Sequence, residues 1–246
     1  MKNSSQYFQD YTCANEDAFY EQYRNVEGNL TRFDCVPSVI MINTDLIGDI
    51  EINGYADLLN PELKGKIVFA DPQASSSSFE HLVNMLYAMG TDGQPNGWDY
   101  VREFCKQLPN SCVNSSSAVY KGVADGEYAV GLTFEQGAAT YVSQGNIKVV
   151  YMEEGVIIRG DGVYIVKDCP NLDSARKFVD WLTSYDAQTY MNETQFRRTI
   201  RTDVPETDAM QSMSTINVIT DDETIASENK TAWIEQFQEA LVDAAE

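Results

Sequence analysis

Short apolar runs alternate with helix-spaced apolar positions along much of the chain, a pattern that predicts a sheet covered by helices. Ile67, Val68 and Phe69 form one run of the kind a buried parallel strand shows, and Phe79, Leu82, Val83, Leu86 and Met89 then recur at helical spacing. Residues 39–42, after Pro37, make a second strand. Trp98, Val101, Phe104, Cys105 and Leu108 mark another helix, and the segment AVYKGVAD a further one. A strand over 128–134, a helix over 135–142 ended by Gly145, and a strand over 147–152 follow. This alternation implies parallel pairing through crossover helices. The runs GVII and GVYIV flank Arg159, Gly160 and Asp161, an extended passage with a flexible middle such as a crossing between two lobes needs. Beyond Asn171 the chain reads as helical: NLDSARKFVDWLTS turns Leu172, Ala175, Phe178, Val179 and Leu182 inward, and DAQTYMNE is a second helix. A last helix over about 224–244 carries Trp233, Phe237, Ala240 and Leu241, and a short one is predicted over 16–23.

Serines gather at two of the predicted helix starts. Asp71, Pro72 and then Ser75, Ser76, Ser77 and Ser78 lie between the strand at 67–69 and its helix. Ser77 with Glu80 fits the S-x-x-E capping box, which spends one hydroxyl on the helix's own amides and leaves Ser75, Ser76 or Ser78 facing outward. Ser115, Ser116 and Ser117 repeat the arrangement at the next helix. A helix start with spare hydroxyls and unpaired N–H groups suits an anion or another oxygen-rich ligand, although the residues by themselves equally allow capping alone.

Composition narrows the partners more than the fold. The 246 residues contain 17 Lys plus Arg against 38 Asp plus Glu, a net charge of -21 that argues against nucleic acid or an anionic membrane surface as a partner. No apolar run is long enough for a membrane span, and MKNSSQYFQD lacks the apolar centre of a secretory signal, so the expectation is a cytosolic protein or one whose signal has been removed. The five cysteines contain no CxxC and His81 is the lone histidine, which disfavours a zinc site; no cofactor is expected. Cys105 and Cys112 are close enough in sequence to pair, and Cys13 with Cys35 is another possibility. As an enzyme the chain would have to rely on a pair such as Glu135 with His81, since neither GxSxG nor a P-loop occurs; His81 otherwise reads as structural.

Four blocks, LNPELKGKIVFADPQASSSSFEHL, NSSSAVYKGVADGEYAVGLTFE, EEGVIIRGDGVYIVK with NLDSARKFVDWLTS, and RRTIRTDVP, resemble in order and spacing the extracellular, periplasmic solute-binding proteins of ABC importers. The branch is the one that handles ferric iron, phosphonates or sugar phosphates. The resemblance implies a non-catalytic α/β protein of the type II periplasmic-binding-protein-like fold. Two lobes joined by hinge strands would close over a small-molecule ligand, and an ABC permease in the membrane would read the closed state. It places lobe I at 1–44 plus 155–246, without the strand, helix and strand with which the family usually begins, and lobe II at 45–154. A periplasmic or extracellular location follows, a cell-surface lipoprotein included. Ser75, Ser76, Ser77 and Ser78, and Ser115, Ser116 and Ser117, match cleft-facing helix starts, while Thr133 and Glu135 match the carboxyl end of a strand, the usual ligand edge of an open α/β sheet. Asp161 reads either as an acceptor for sugar hydroxyls or as part of a bulge between Gly160 and Gly162, and Asp34 either reaches the cleft or caps the following turn, the turn being favoured. Arg32, Arg159, Arg198 and Arg201 are the candidate counter-charges, the last two otherwise surface residues. Ferric-binding relatives carry adjacent tyrosines after that strand, where this chain has Gln136 and Gly137, so a sugar phosphate or phosphonate is expected ahead of iron. The remaining alternative is a non-binding fragment that dimerises through an exposed sheet edge.

Overall fold

The computed structural model describes residues 2–109 and 111–245. In chain order its strands are β1 (Phe8–Gln9), β2 (Leu30–Arg32), β3 (Val36–Asn43), β4 (Ile67–Val68), β5 (Val130–Phe134), β6 (Ile147–Val150), β7 (Ile158–Arg159) and β8 (Gly162–Val166). The helices are α1 (Ser76–Ala88), α2 (Trp98–Cys105), α3 (Ser116–Ala124), α4 (Glu135–Val142), α5 (Leu172–Leu182), α6 (Tyr185–Gln195) and α7 (Glu223–Asp243). The chain divides into a first unit, Met1–Val36 with Arg159–Ser212, and a second, Pro37–Ile158 with Met213–Glu246. These limits differ from the expected 1–44 plus 155–246 and 45–154. The largest change is at the C-terminus, where Trp233, Phe237 and Ala240 of α7 are buried in the core of the second unit. The Phe237 ring meets that of Phe69 at 5.8 Å, so the apolar stripe of α7 is held by the sheet that begins with β4.

In the second unit the sheet order is β4-β5-β3-β6. β4 pairs with β5 in parallel, and the bridge from Ala70 to Val113 extends the parallel set. β3 is antiparallel to both β5 and β6. The expected parallel direction therefore holds for the strands that crossover helices connect, while β3, which enters from the first unit without a preceding crossover, is inserted between β5 and β6 in the opposite sense. One face of the sheet supports a large core that includes Ile40, Leu132, Phe69, Leu82 and Phe104. The other packs Val39, Met41, Val68, Val119, Val123 and Ala138. Gly131 permits the close seating of α3, because a Cβ there would lie 2.7 Å from Val123 Cγ2 and 2.9 Å from Val119 Cγ1. Burial pushes the thiols of Cys105 and Cys112 up to about 12. None of the five cysteines forms a disulfide, so neither of the two possible pairings is made.

The first unit is built on an antiparallel sheet in the order β1-β8-β2. Its apolar centre is small: Cys13, Phe19, Ile165, Val179 and Ile200. Instead of one helix over 16–23, two 3-10 turns, Glu16–Ala18 and Glu21–Tyr23, flank Phe19, whose bridge to Arg201 pulls the chain out of helical conformation. α5 turns Val179 inward, but Phe178 and Trp181, with ring centroids 5.8 Å apart, stay on the surface at 53% and 59% exposure. The inward Phe178 expected from periodicity is thus corrected: so small a core is filled by Val179 and its neighbours. No helix among the described residues is long and apolar enough to cross a membrane.

Candidate ligand-binding site

Because β4, the segment at Val113 and β5 run in the same direction, their carboxyl ends share one edge of the second unit's sheet, and α1, α3 and α4 start from it. That is where an open α/β sheet offers ligand contacts. The sequence mistook the register of the first serine cap. Asp71 accepts the amides of Ala74 and Ser75 in a turn that delays the helix, and Ser75, not Ser77, is its N-cap, with the Ser78 amide donating to Ser75 Oγ at 3.4 Å. Ser77 Oγ lies 3.1 Å from Ser75 Oγ. At α3 the same geometry recurs: the Ala118 amide donates to Ser115 Oγ at 3.2 Å and Ser117 Oγ is 3.0 Å from Ser115 Oγ. In both runs the first serine caps and the third braces it, and helix geometry leaves the amides of the first turn without an intrahelical acceptor. Ser75 and Ser78 are buried, Ser76 is exposed, and Ser77, Ser115, Ser116 and Ser117 are partly exposed.

The start of α4 is different, since its first residue is Glu135, only 1% exposed, whose carboxylate accepts the Tyr151 hydroxyl. That helix end already faces an anion of its own, so α1 and α3 are the two starts of this edge not headed by an acidic side chain. Tyr151 is a partner that no sequence spacing announced. Thr133, two residues before Glu135, is buried, and among the described residues its Oγ1 meets no hydrogen-bond partner. An unsatisfied buried hydroxyl at a ligand edge is costly unless something meets it. His81 on α1 is fully buried. Its Nε2 is 2.7 Å from the Thr133 carbonyl and 3.1 Å from that of Val39, so this nitrogen carries the proton, and Nδ1 accepts the Tyr55 hydroxyl at 3.0 Å. Burial lowers its pKa to about 4, against the two carbonyl bonds that raise it. Both nitrogens are engaged and the ring is neutral, which removes the acid–base pair of Glu135 with His81.

Asp161 and Arg32 belong to the first unit. Arg32 Nη1 donates to the Gly160 carbonyl, and the Asp161 amide donates to Asp34 Oδ1 at 3.2 Å. The Asp161 carbonyl accepts the Phe33 amide at 3.1 Å, continuing the ladder of β2 and β8, so Asp161 is held in strand pairing with an exposed carboxylate. Gly160 sits in a close-packed place, as a Cβ there would lie 3.2 Å from Arg32 Cδ and 3.3 Å from the Asp34 carbonyl oxygen. Asp34 does not cap a turn: it is buried against Arg197 Nη1, which is also 3.5 Å from Asp161 Oδ2. Burial and the neighbouring Asp161 raise the Asp34 carboxyl to about 6, with Arg197 opposing them. Arg198 and Arg201, expected as surface charges unless they serve a ligand, are buried and bound to protein groups. Arg198 is 4% exposed and donates to the Gln211 carbonyl; Arg201, 6% exposed, forks onto Asp203 at 2.8 Å and donates to the Thr183 carbonyl. Sequence reasoning passed over Arg197, whose partners lie 163 and 36 residues away. No three His, Cys, Asp or Glu side chains come together among the described residues as a metal site would need.

The chain is 22% identical to, with a TM-score of 0.84 against, the structure of the periplasmic binding protein AfuA from Actinobacillus pleuropneumoniae with exogenous fructose-6-phosphate bound, over 98% of this chain and 78% of that one. It is 31% identical, with a TM-score of 0.76, to a solved structure described as a two-component system protein mediating signal transduction, over 87% of this chain and 71% of that one. It is 25% identical over 196 residues to iron uptake protein A1 of Synechocystis sp. PCC 6803, covering 75% of this chain and 54% of the relative. The chain spans about half the length of the curated relatives it matches first. A family model described as bacterial extracellular solute-binding protein matches residues 3–226, nearly the whole sequence, and includes both serine-capped starts. The fold, the ligand edge and this match lead to one conclusion: the chain belongs to the bacterial extracellular solute-binding protein family.

Proposed function

We propose that the chain is the solute-capturing, non-catalytic component of an ABC importer, working in the periplasm or at the cell surface and serving a membrane permease. Its ligand is a small anionic, polyhydroxylated molecule, a sugar phosphate or a phosphonate. The observation that carries this reading is the pair of matched serine caps, with α1 and α3 starting from one sheet edge and neither start headed by an acidic residue. An anion set against such amides and hydroxyls gains about 1.5–3 kcal/mol per charge-assisted hydrogen bond. Thr133 Oγ1 is a further donor awaiting an acceptor. The structural relative solved with fructose-6-phosphate supports the same class. Ferric iron, which needs several anionic oxygen donors, is the weaker reading, since Gln136 and Gly137 follow Glu135.

Calorimetric titration with fructose 6-phosphate, 2-aminoethylphosphonate, inorganic phosphate, spermidine and Fe(III) tests the proposal. Binding of one of the two organic anions tighter than the other compounds is expected. Binding of Fe(III) or spermidine alone would overturn it. A second reading rests on the 31% identity to the two-component-system protein: the captured solute is reported to a signalling partner and not handed over for import. Deleting the gene separates the two, since import predicts loss of solute uptake and signalling predicts loss of the transcriptional response with transport intact.

A further inference from the structure

The last helix of the second unit does more than fill its core, because three of its contacts fall on the segment that carries the first serine cap. The Asp222 amide, at the start of α7, donates to the Tyr87 hydroxyl near the end of α1 at 3.3 Å. Lys230 Nζ stands 4.9 Å from the centre of the Phe79 ring, in the first turn of α1. Gln238 Nε2 donates to Asp71 Oδ1 at 2.8 Å, ahead of that turn. Equal steps forward along α7 thus match equal steps backward from Tyr87 through Phe79 to Asp71, so α7 lies antiparallel to α1 and reaches past its start. Trp233, Phe237 and Ala240 are buried in the core, and the Phe237 ring is 5.8 Å from that of Phe69, which anchors Gln238 on a fixed stretch of helix.

Asp71 is the residue on which the register of the cap depends. Its carbonyl accepts the amides of Ala74 and Ser75, both at 2.9 Å, and its Oδ1 accepts the Gln73 amide at 2.8 Å, so carbonyl and carboxylate together fold the turn that makes Ser75 the N-cap. The same Oδ1 takes the Gln238 donor, and loss of that donor leaves the part-buried carboxylate to seek water, which loosens the turn. We propose that Gln238 is a positioning residue for ligand binding: through Asp71 it fixes the turn before α1, and with it the Ser75 cap and the first-turn amides of Ser76 and Ser77. The three contacts of α7 all go to α1 and its turn, so α7 governs one of the two serine-capped starts and leaves the start of α3 to its own cap. Thr133 Oγ1, buried and without a partner among the described residues, independently marks this sheet edge as a place where a ligand is met. The inference rests on the proposed capture of an anionic solute and adds the residue that sets one half of its site.

The test is amide exchange read residue by residue on the whole chain, free and with fructose 6-phosphate at saturation. Gln238→Glu keeps the length of the side chain but, ionised, offers no donor, and Gln238→Leu removes the polar group without adding charge. In the free chain both are expected to speed the Ser78 amide, which donates to Ser75 Oγ, by about tenfold, while the Ala118 amide, which donates to Ser115 Oγ, exchanges as in the wild type. With fructose 6-phosphate the slowing of Ser76 and Ser77 is expected to fall by about tenfold and that of Ser116 and Ser117 to persist. Gln238→Lys, which restores a donor to the carboxylate, is expected to return Ser78 to wild-type exchange. Wild-type exchange of Ser78 in both Gln238→Glu and Gln238→Leu overturns the inference alone. Equal acceleration of Ser78 and Ala118 also overturns it, since Gln238 would then support the whole unit and position nothing. Should Gln238→Glu fail to fold because two carboxylates face each other, Gln238→Leu decides. A wild-type chain in which neither fructose 6-phosphate nor 2-aminoethylphosphonate slows any of the four serine amides overturns the proposed function and this inference together.

Discussion

The two units solve the problem of a stable interior in opposite ways. The second buries aromatic and aliphatic side chains on both faces of its sheet, with Phe69 touching Phe104 and Phe237 at 5.7 and 5.8 Å, and its one buried histidine is kept neutral. The first has few apolar residues inside and relies on polar ones. Gln188 donates to the carbonyls of Phe33 and Leu182 and accepts from Thr199 and Ile200, Arg201 is forked onto Asp203, and Asp34 is buried with Arg197. An apolar interior tolerates repacking, whereas a buried polar network is costly when any one member is removed. The contrast assigns the serine-capped edge to the body with the apolar interior and the Asp34–Arg197 cluster to the body whose interior is itself electrostatic.

The largest expected effect is on the apolar side. Phe237→Ala removes a fully buried ring and is expected to destabilise the second unit by about 3–5 kcal/mol in denaturant unfolding, with hydrogen exchange in the first unit much less affected. A loss spread evenly over both would blur the distinction between the units. The pH response should separate them further. His81 stands at about 4 in the folded chain against 6.5 in a solvated one, so its contribution is complete above about pH 6.5 and is lost as pH falls through about 4. The second unit is thereby expected to lose about 3 kcal/mol on acidification. Asp34 has the opposite sign: raised to about 6 from 3.8, it contributes fully below about pH 3.8 and that contribution is lost as pH rises through about 6, a similar magnitude in the first unit. Unit-resolved hydrogen exchange between pH 4 and 7 should therefore show the two moving in contrary directions, and Asp34→Asn should flatten the profile of the first unit only. A smaller effect, about tenfold in affinity for fructose 6-phosphate, is expected for Ser116→Asp at the start of α3. The smallest is a loss of about 1 kcal/mol for Ser75→Ala, which removes the cap of α1; an equal loss in Ser77→Ala would mean that the cap is shared.

How much was legible depends on how local the determining physics is. The helix over 135–142 and the serine-rich starts could be read because caps, breakers and apolar spacing lie within a few residues of one another. Within a run of four serines, however, the register of the cap was decided by the Asp71 turn, and the S-x-x-E signature pointed two residues too far along. Phe178 has the period of a core residue and is exposed, since periodicity records which face is apolar and not whether enough partners exist to cover it. Arg197 and Tyr151 were illegible for a different reason: their partners, Asp34 and Glu135, are distant in sequence and are brought to them by strand pairing.

An anionic group held at the starts of α1 and α3 would be seen in amide exchange, residue by residue. With fructose 6-phosphate at saturation, the amides of Ser76, Ser77, Ser116 and Ser117 are expected to slow by about tenfold or more, as amides do when they acquire an acceptor. Binding that leaves these four amides exchanging as in the free protein would rule out the two serine-capped starts as the place of the anion.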